Sequence, residues 1–419
     1  MTDEMSYGDA IEDDVLKIAA RLGVADFVYT VPILSKGAGG SREVGDGLLI
    51  SNGHGAILQV KTREPNSRSE TGESWLAKDG ERAYKQGKGT RRQIGLKQES
   101  GEIVTAFPLR SESWIPEDRT AAFLPLDMDV SAWPTIIVVD HPDMDGTQPT
   151  RTDAFWITTT DWLMLNHAIR SVTGLLIYVE RALEAGPEVC PQLGFEAVRF
   201  QRMVQADAVI APAGGRWSRP WLTADSLNDP TGAELYRELL ERIWPEDHSQ
   251  PPQIPIEDMR RVLEFLDGVP PSVQVEVGRW ILKKRSEIAD STWASGALMF
   301  DSERLLVFGC SPSTSFMDLE HFDAKLAAIA CVRAKEISMQ GGEITSLLAV
   351  GHIVGDGHID YRYIYMEPPR DAPANLMRSI RHQHGMFNLE TREVHLIKAE
   401  RNARCPCGSG LKFKYCDRA

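Results

Sequence analysis

The chain has 419 residues, too many for one ordinary core, so two or three domains are expected. Hydrophobic residues make up 42% and charged residues 25%, a composition that excludes a disordered chain. The net charge of −14 argues against wholesale nucleic-acid binding, although ten Lys or Arg against five Asp or Glu lie between Lys61 and Lys97. That local surplus fits either a basic groove or a solvated helix face. No apolar run is long enough to cross a bilayer, and the acidic start MTDEMSYGDAIEDD is no secretory signal, so a cytoplasmic protein is expected. Three of the six cysteines are scattered and three are clustered, which in a reducing compartment points to metal rather than disulfides.

Residues 9–22 form the first predicted helix, with Ile11, Val15, Ile18, Ala19 and Leu22 on one stripe and Gly23 ending it. A strand over 26–34 and a Gly/Ser-rich loop (SKGAGGS) follow. GDGLLIS and AILQVK read as a hairpin about NGHG, and a helix runs from about Ser74 to Leu96. TIIVVD (135–140) is a buried strand, and 156–186 reads as a strand end and two helices. This order predicts an α/β fold, a mixed sheet flanked by helices. Residues 213–231 look like a connection, 232–285 are helical with an interruption at EDHSQPPQIP, and 303–368 carry a strand, a helix and two strands. The predicted division is 1–212, a mostly helical 213–300, a small α/β region at 301–370, a linker at 371–402 and a tail at 403–419.

The hairpin carries the candidate chemistry. With the turn centred between Gly53 and His54, Asp46 lies opposite Lys61 and diagonal to Gln59. Side-chain alternation then puts Asp46, Gln59 and Lys61 on one face. A hard divalent cation takes oxygen ligands, and the Asp46 carboxylate, the Gln59 amide oxygen and the Val60 carbonyl can supply three. Lys61 can orient or deprotonate a water and stabilise charge on a phosphorane. The plain alternative is a surface hairpin with an Asp46–Lys61 ion pair worth under ~1 kcal/mol.

Asp46, twelve residues, then Gln59-Val60-Lys61 resembles the PD-(D/E)xK nuclease superfamily, the restriction-endonuclease-like fold. A Gln at the second acidic position is a variant within that superfamily. Two departures stand out: Gly45 where a Pro precedes the Asp, and Gln59 for an acid. The resemblance implies a Mg²⁺ (or Mn²⁺) site and a Glu on the preceding helix, for which Glu12 is the match. The catalytic set is then Glu12, Asp46, Gln59 and Lys61, with Asp46, Gln59 and Val60 holding the ion. Lys85, Lys88 and Arg92 share a face of the following helix with Arg91 beside them, and would add sequence-independent phosphate affinity.

The His and Asp residues of VVDHPDMDG and of GHIVGDGHID read as solvated turns, with His352 and His358 exposed. The 303–368 region reads as a partner-binding or oligomerisation module. Near the C-terminus, RNARCPCGSGLKFKYCD gives Cys405-x-Cys407-x₈-Cys416, a spacing for tetrahedral Zn²⁺. This segment resembles the SEC-C motif, except that Asp417 occupies the fourth ligand position. An upstream histidine such as His382, His384 or His395, a water or a partner group is the other source of that ligand.

The expectation is a Mg²⁺-dependent endonuclease acting on nucleic acid, DNA ahead of RNA, in prokaryotic antiviral defence. Its zinc tail would dock protein or nucleic acid, with no membrane partner; a homodimer is left open. The alternative is a non-catalytic adaptor on a degenerate nuclease fold, which Gln59 and the acidic balance favour.

Overall fold

The computed structural model describes residues 6–30, 34–36, 40–42, 45–63, 71–109, 124–126, 128–149, 151–186, 192–210, 220–228, 230–243, 255–287, 293–299, 303–312, 319–339, 341–354 and 359–384. The described residues form two compact units, one drawn mainly from Met1–Ala206 with part of Asp247–Arg260, and one drawn from Asp207–Glu246 and Arg261–Ile397.

In the first unit, helix α1 (Tyr7–Leu22) starts where Ser6 accepts from the Asp9 amide. Val15, Leu16, Ala19 and Ala20 are its buried face. It stops at Gly23, whose N–H bonds the Ala19 carbonyl and where a Cβ would lie 2.6 Å from that oxygen. The expected strand over 26–34 is broken up: a 3₁₀ turn at Ala25–Phe27 leads into β1 (Val28–Thr30). The Gly/Ser-rich stretch then contributes a small separate hairpin, β2 (Leu34–Lys36) with β3 (Gly40–Arg42).

Strands β4 (Gly47–Ser51) and β5 (His54–Thr62) form the expected hairpin. Its turn is one residue earlier than the sequence reading placed it. Asn52 (φ 51°) and Gly53 (φ 76°) are the two turn residues, and Ser51 pairs with His54. That is the twist-matched two-residue turn for which Asn-Gly is the strongest signal. A short helix, α2 (Gly72–Trp75), passes through a π turn at Leu76–Gly80 into α3 (Glu81–Glu99). Edge strands β6 (Thr105–Pro108) and β7 (Leu124–Pro125) follow, then β8 (Thr135–Asp140) and β9 (Phe155–Thr158).

The sheet order is β7-β6-β1-β4-β5-β8-β9. β1, β4 and β5 are antiparallel neighbours, whereas β8 lies parallel to β5, reached through α3 and then β6 and β7. Gly87 lets α3 settle on the sheet: a Cβ there would stand 2.4 Å from Thr135, while one at Gly89 would meet nothing within 4 Å. On the α3 side, Leu48, Ile50 and Ile57 pack with Ile94, and Ile137 and Val139 pack with Trp75, Ala83 and Tyr84. On the other side Leu16 of α1 fills the space over Gly47, and α4 (Thr159–Ile169) and α5 (Val172–Ala185) pack on the same sheet. The predicted break between α4 and α5 is Arg170, in the left-handed conformation (φ 52°). Helix α6 (Glu196–Ile210) closes the unit, its buried Glu196 carrying Arg199 and the Tyr178 hydroxyl. His141, expected in a solvated turn, is instead buried, its ring tilted against that of Trp75 with centroids 5.1 Å apart.

The second unit joins what the sequence divided at residue 300. Helices α7 (Asp225–Asn228), α8 (Thr231–Glu241), α9 (Ile256–Asp267) and α10 (Pro271–Glu287) precede a sheet of β10 (Ala294–Met299), β11 (Arg304–Pro312), β12 (Ser346–Val354) and β13 (Ile359–Met366), in that order. β10 has no counterpart in the sequence reading. β11 and β12 run parallel across α11 (Leu319–Met339), which buries Phe322, Leu326 and Ile329 against one face. The 371–402 linker begins as a helix, α12 (Ala374–His384), whose Met377 and Ile380 join that core. Trp280 and Phe265 pack on the other face against Phe308 and Tyr365.

On that second face, cross-strand partners Cys310, His352 and Tyr361 form a row beneath Arg285. His352 was expected exposed but is 2% accessible, and accepts from Arg285 Nε at 2.7 Å. Desolvation first, and the Arg285 charge second, push its pKa down to about 3. The unfolded chain therefore binds a proton here that the folded chain refuses. Stability from this group is complete above the unfolded value of 6.5 and falls as pH drops toward 3, by up to ~1.4 kcal/mol per unit. Replacing His352 with Gln, which retains an acceptor for Arg285, should flatten urea-unfolding stability between pH 6.5 and 4 relative to wild type; an unchanged slope would rule the histidine out as its source.

Candidate functional site

β4 ends before β5 does. Gly47 pairs with Leu58, and β5 continues to Thr62 with no β4 residue alongside. The observed register puts Asp46 directly across from Gln59, not diagonal to it. The shift is two residues in the pairing sum, an even number, so the expected shared face survives.

The N–H and C=O of one strand residue leave on the same edge. Leu58 directs both toward β4, so Val60 directs both toward the place where β4 has stopped. The Asp46 carboxylate fills that place: Oδ2 accepts from Val60 N at 2.5 Å. The Val60 carbonyl leaves on the same edge. Gln59 is 1% accessible, and its Nε2 donates to the Leu58 carbonyl at 3.0 Å. Its amide oxygen is thus the atom left for a ligand. Lys61 projects on the Gln59 face, two residues along, and its side chain makes no hydrogen bond or ion pair among the described residues.

Gly45 explains the absent Pro. Its φ of +146° is closed to proline and unfavourable for any L side chain. A Cβ there would stand 3.0 Å from Gln59 Nε2 and 3.3 Å from Thr90 Oγ1. Thr90, buried on α3 and bonded to the Gln86 carbonyl at 3.1 Å, is thus a neighbour of this end of the hairpin that the sequence reading did not single out. Only the tertiary path of α3 reveals it.

Glu12 belongs to the opposite face of the sheet from Gln59 and Lys61, because α1 covers the Gly47 side. Its place can still be read. Gly8 abuts Thr62 Oγ1 and Leu16 abuts Gly47, so the row Gly8–Glu12–Leu16 runs along β5 from its end back to β4. Glu12 is thereby set over the stretch where β4 stops. The structure brings Asp46, Gln59 and Val60 together at the strand end, with Lys61 on the Gln59 face and Glu12 on the helix that covers the opposite face.

The donor set suits a hard cation: one carboxylate at the strand end, a carbonyl leaving on the same edge and an amide oxygen beside it. Among the described residues, no group of three or more His, Cys, Asp or Glu side chains is arranged to hold a metal. Any ion here would depend on amide and carbonyl oxygens and on water.

The four α3 cations expected to contact phosphate separate. Lys85 is exposed and pairs with Glu81 at 3.5 Å. Lys88 bonds the Tyr84 hydroxyl at 3.0 Å and lies 3.8 Å from Asp153. Arg91 is half-buried, donating to Thr135 Oγ1 at 3.2 Å and to the Ser131 carbonyl at 3.4 Å; burial lowers its pKa. Arg92 is exposed. Lys88, Arg91 and Arg92 line one cleft, and Lys85 is outside it.

Residues 401–416 match the family model of the SEC-C motif. The match includes Cys405, Cys407 and Cys416 and stops one residue before Asp417. It is consistent with zinc binding. These residues, with Asp417 and His395, lie outside the described part of the structure. No curated protein and no solved structure matches the chain. No helix among the described residues is long and apolar enough to cross a membrane.

Gly45→Ala should unfold the first unit more easily, by ~1–3 kcal/mol, since it adds both an unfavourable φ and a Cβ contact with Gln59. Gly89→Ala, where a Cβ meets nothing, should be neutral or slightly stabilising. Denaturant midpoints of the two variants check this, and equal midpoints would refute the tight packing at Gly45.

Proposed function

We propose that the first unit is a metal-dependent nuclease of the PD-(D/E)xK type. The observation that carries the reading is the end of β4, where Asp46 caps Val60 directly across from Gln59, with Lys61 on the Gln59 face. The first unit has a helix (α1), three antiparallel strands (β1, β4, β5), a helix (α3) and a strand parallel to β5 (β8), with the β2-β3 hairpin inserted between β1 and β4 and strands β6 and β7 inserted between α3 and β8; this partial match further supports a restriction-endonuclease-like reading.

Asp46, the Gln59 amide oxygen and the Val60 carbonyl would hold Mg²⁺ or Mn²⁺, with Glu12 adding a carboxylate from α1. The ion would supply Lewis acidity and screen phosphate charge. Lys61 would hold the attacking water by its ammonium group, or as the free amine take its proton, and would stabilise charge gathering on the phosphoryl oxygens. The new P–O bond comes from water, and the ester P–O bond to the leaving oxygen breaks as that oxygen takes up a proton. DNA is the favoured substrate over RNA. Joined to accessory modules, such a unit suits prokaryotic antiviral defence in the cytoplasm.

The rival reading is a non-catalytic adaptor that grips nucleic acid or a partner on a degenerate nuclease fold. Gln59, an amide where the pattern has an acid, favours it, as does the lack of a three-acid cluster among the described residues. A cleavage assay with Mg²⁺ and Mn²⁺ on single- and double-stranded DNA and RNA separates the two. Cutting is expected, with Asp46→Asn and Lys61→Ala each reducing it ~10²–10⁴-fold while unfolding midpoints stay near wild type. Absence of cutting on every substrate, or full activity in Lys61→Ala, would leave the adaptor.

The tail is proposed to bind one Zn²⁺ through Cys405, Cys407 and Cys416 and to dock a protein or nucleic-acid partner through the cations and aromatics of Lys412–Tyr415. Zinc quantification should find one ion per chain, lost in Cys407→Ala. Asp417→Ala should weaken retention against a chelator if the aspartate is the fourth ligand, and unchanged retention would assign that position to another group.

A further inference from the structure

Beside α3 lies a cleft of about 650 Å³ between its second half and the 128–131 segment. Lys88, Arg91 and Arg92 stand on its helix wall, with Leu96 and Met128 among the apolar residues lining it. Its size is that of a ligand site rather than a packing defect.

Arg91 is built into the wall. Thr135 Oγ1 and the Ser131 carbonyl hold its guanidinium, and its buried Nε has no hydrogen-bond partner among the described residues. A guanidinium fixed in this way presents its remaining donors with little entropy left to lose. The acidic residues of the cleft are Glu99 and Asp129, and Asp129 is already satisfied by the Ser131 amide and hydroxyl at 2.8 and 2.9 Å. Lys88 is drawn toward Tyr84 and Asp153, which leaves Arg91 and Arg92 facing Glu99, the one acid of the lining with no partner among the described residues, and this balance favours an anionic occupant.

The apolar part discriminates among anions. Leu96 is 45% accessible, a large exposed hydrophobic directly beside the cations, and Met128 is partly buried next to it. A duplex hides its base faces and shows only phosphate and groove edges, so it has nothing to lay on Leu96. A single strand offers both a phosphate and an unstacked base face. Thr90, against Gly45 and Gln59, immediately precedes Arg91 on the same helix, so a strand in the cleft lies one residue round α3 from the candidate catalytic end.

We propose that this cleft binds a single-stranded nucleic-acid segment, with phosphate on Lys88, Arg91 and Arg92 and a base on Leu96 and Met128. The proposal rests on the nuclease-like reading of the first unit for its biological sense, but not on cleavage.

The test is fluorescence anisotropy on the full, zinc-loaded chain in buffer free of Mg²⁺ and Mn²⁺, with labelled dT12, rU12 and a 12-base-pair duplex. The single strands should bind at least ~10-fold tighter than the duplex. Leu96→Gln, which removes the apolar contact without adding charge, should weaken single-strand binding several-fold and leave duplex binding within about twofold. Arg92→Met should lower the salt slope by about 0.7. Lys17→Met, on exposed α1 surface, should change neither. Equal affinity for duplex and single strands, an unaffected Leu96→Gln protein, or displacement of dT12 by polyglutamate at matched charge would each overturn the proposal, the last by assigning the cleft to an acidic protein segment. Preference of dT12 over rU12, or the reverse, keeps it and names the strand. Binding without cleavage would retain this proposal while removing the enzyme reading; cleavage without single-strand preference would do the opposite.

Discussion

A strand that outruns its neighbour leaves backbone groups unpaired, and in the first unit that strand is β5. It is the hinge of the architecture, antiparallel to β4 on one edge and parallel to β8 on the other. Burial of Val60 makes its N–H costly to leave unmet. The Asp46 carboxylate meets it in place of a strand. Much of the local arrangement answers to this one bond. Gly45 takes a conformation other residues avoid so that the chain can turn there, Thr90 closes in from α3, and α1 lays its Gly8–Leu16 row along the opposite face.

The same arrangement gives the site its chemical character. A carboxylate that caps a strand end is oriented before any ligand arrives, and the adjacent carbonyl leaves on the same edge. Lys61 has no competing partner among the described residues. Preorganisation of this kind is what a cation-dependent reaction asks of a protein, and also what a grip on phosphate asks of it. Geometry near Asp46 serves both readings of the unit, and only the behaviour of Lys61 divides them.

Much of this was legible in the sequence because amphipathic periodicity is a local property. The stripe of α1, the apolar LLI and AIL runs and the TIIVVD strand led to elements close to the observed ones. Asp46, Gln59 and Lys61 shared a face even with the turn misplaced, since the error in register was even. Long-range facts were not legible. Nothing local says that Thr90 reaches Gly45, or that Arg91 is pinned by Ser131 and Thr135. His352 looked like a turn residue beside glycines, yet β12 is covered on both faces and shows no alternation to mark its inside. α12 was hidden by its polar composition, with Met377 and Ile380 as the buried anchors. The zinc tail is the reverse case, a short motif whose chemistry is carried by spacing alone.

The cap on Val60 has a consequence for descent. An amide at position 46 still offers an oxygen to that N–H, so the strand end can persist without a negative charge. Position 59 already carries an amide where the resembled pattern has an acid. On the nuclease reading proposed for this unit, both charges can be lost in succession while the sheet stays closed, so active and silent chains would share one shape. The acid at position 46 would then be the better record of whether a chain can hold the ion.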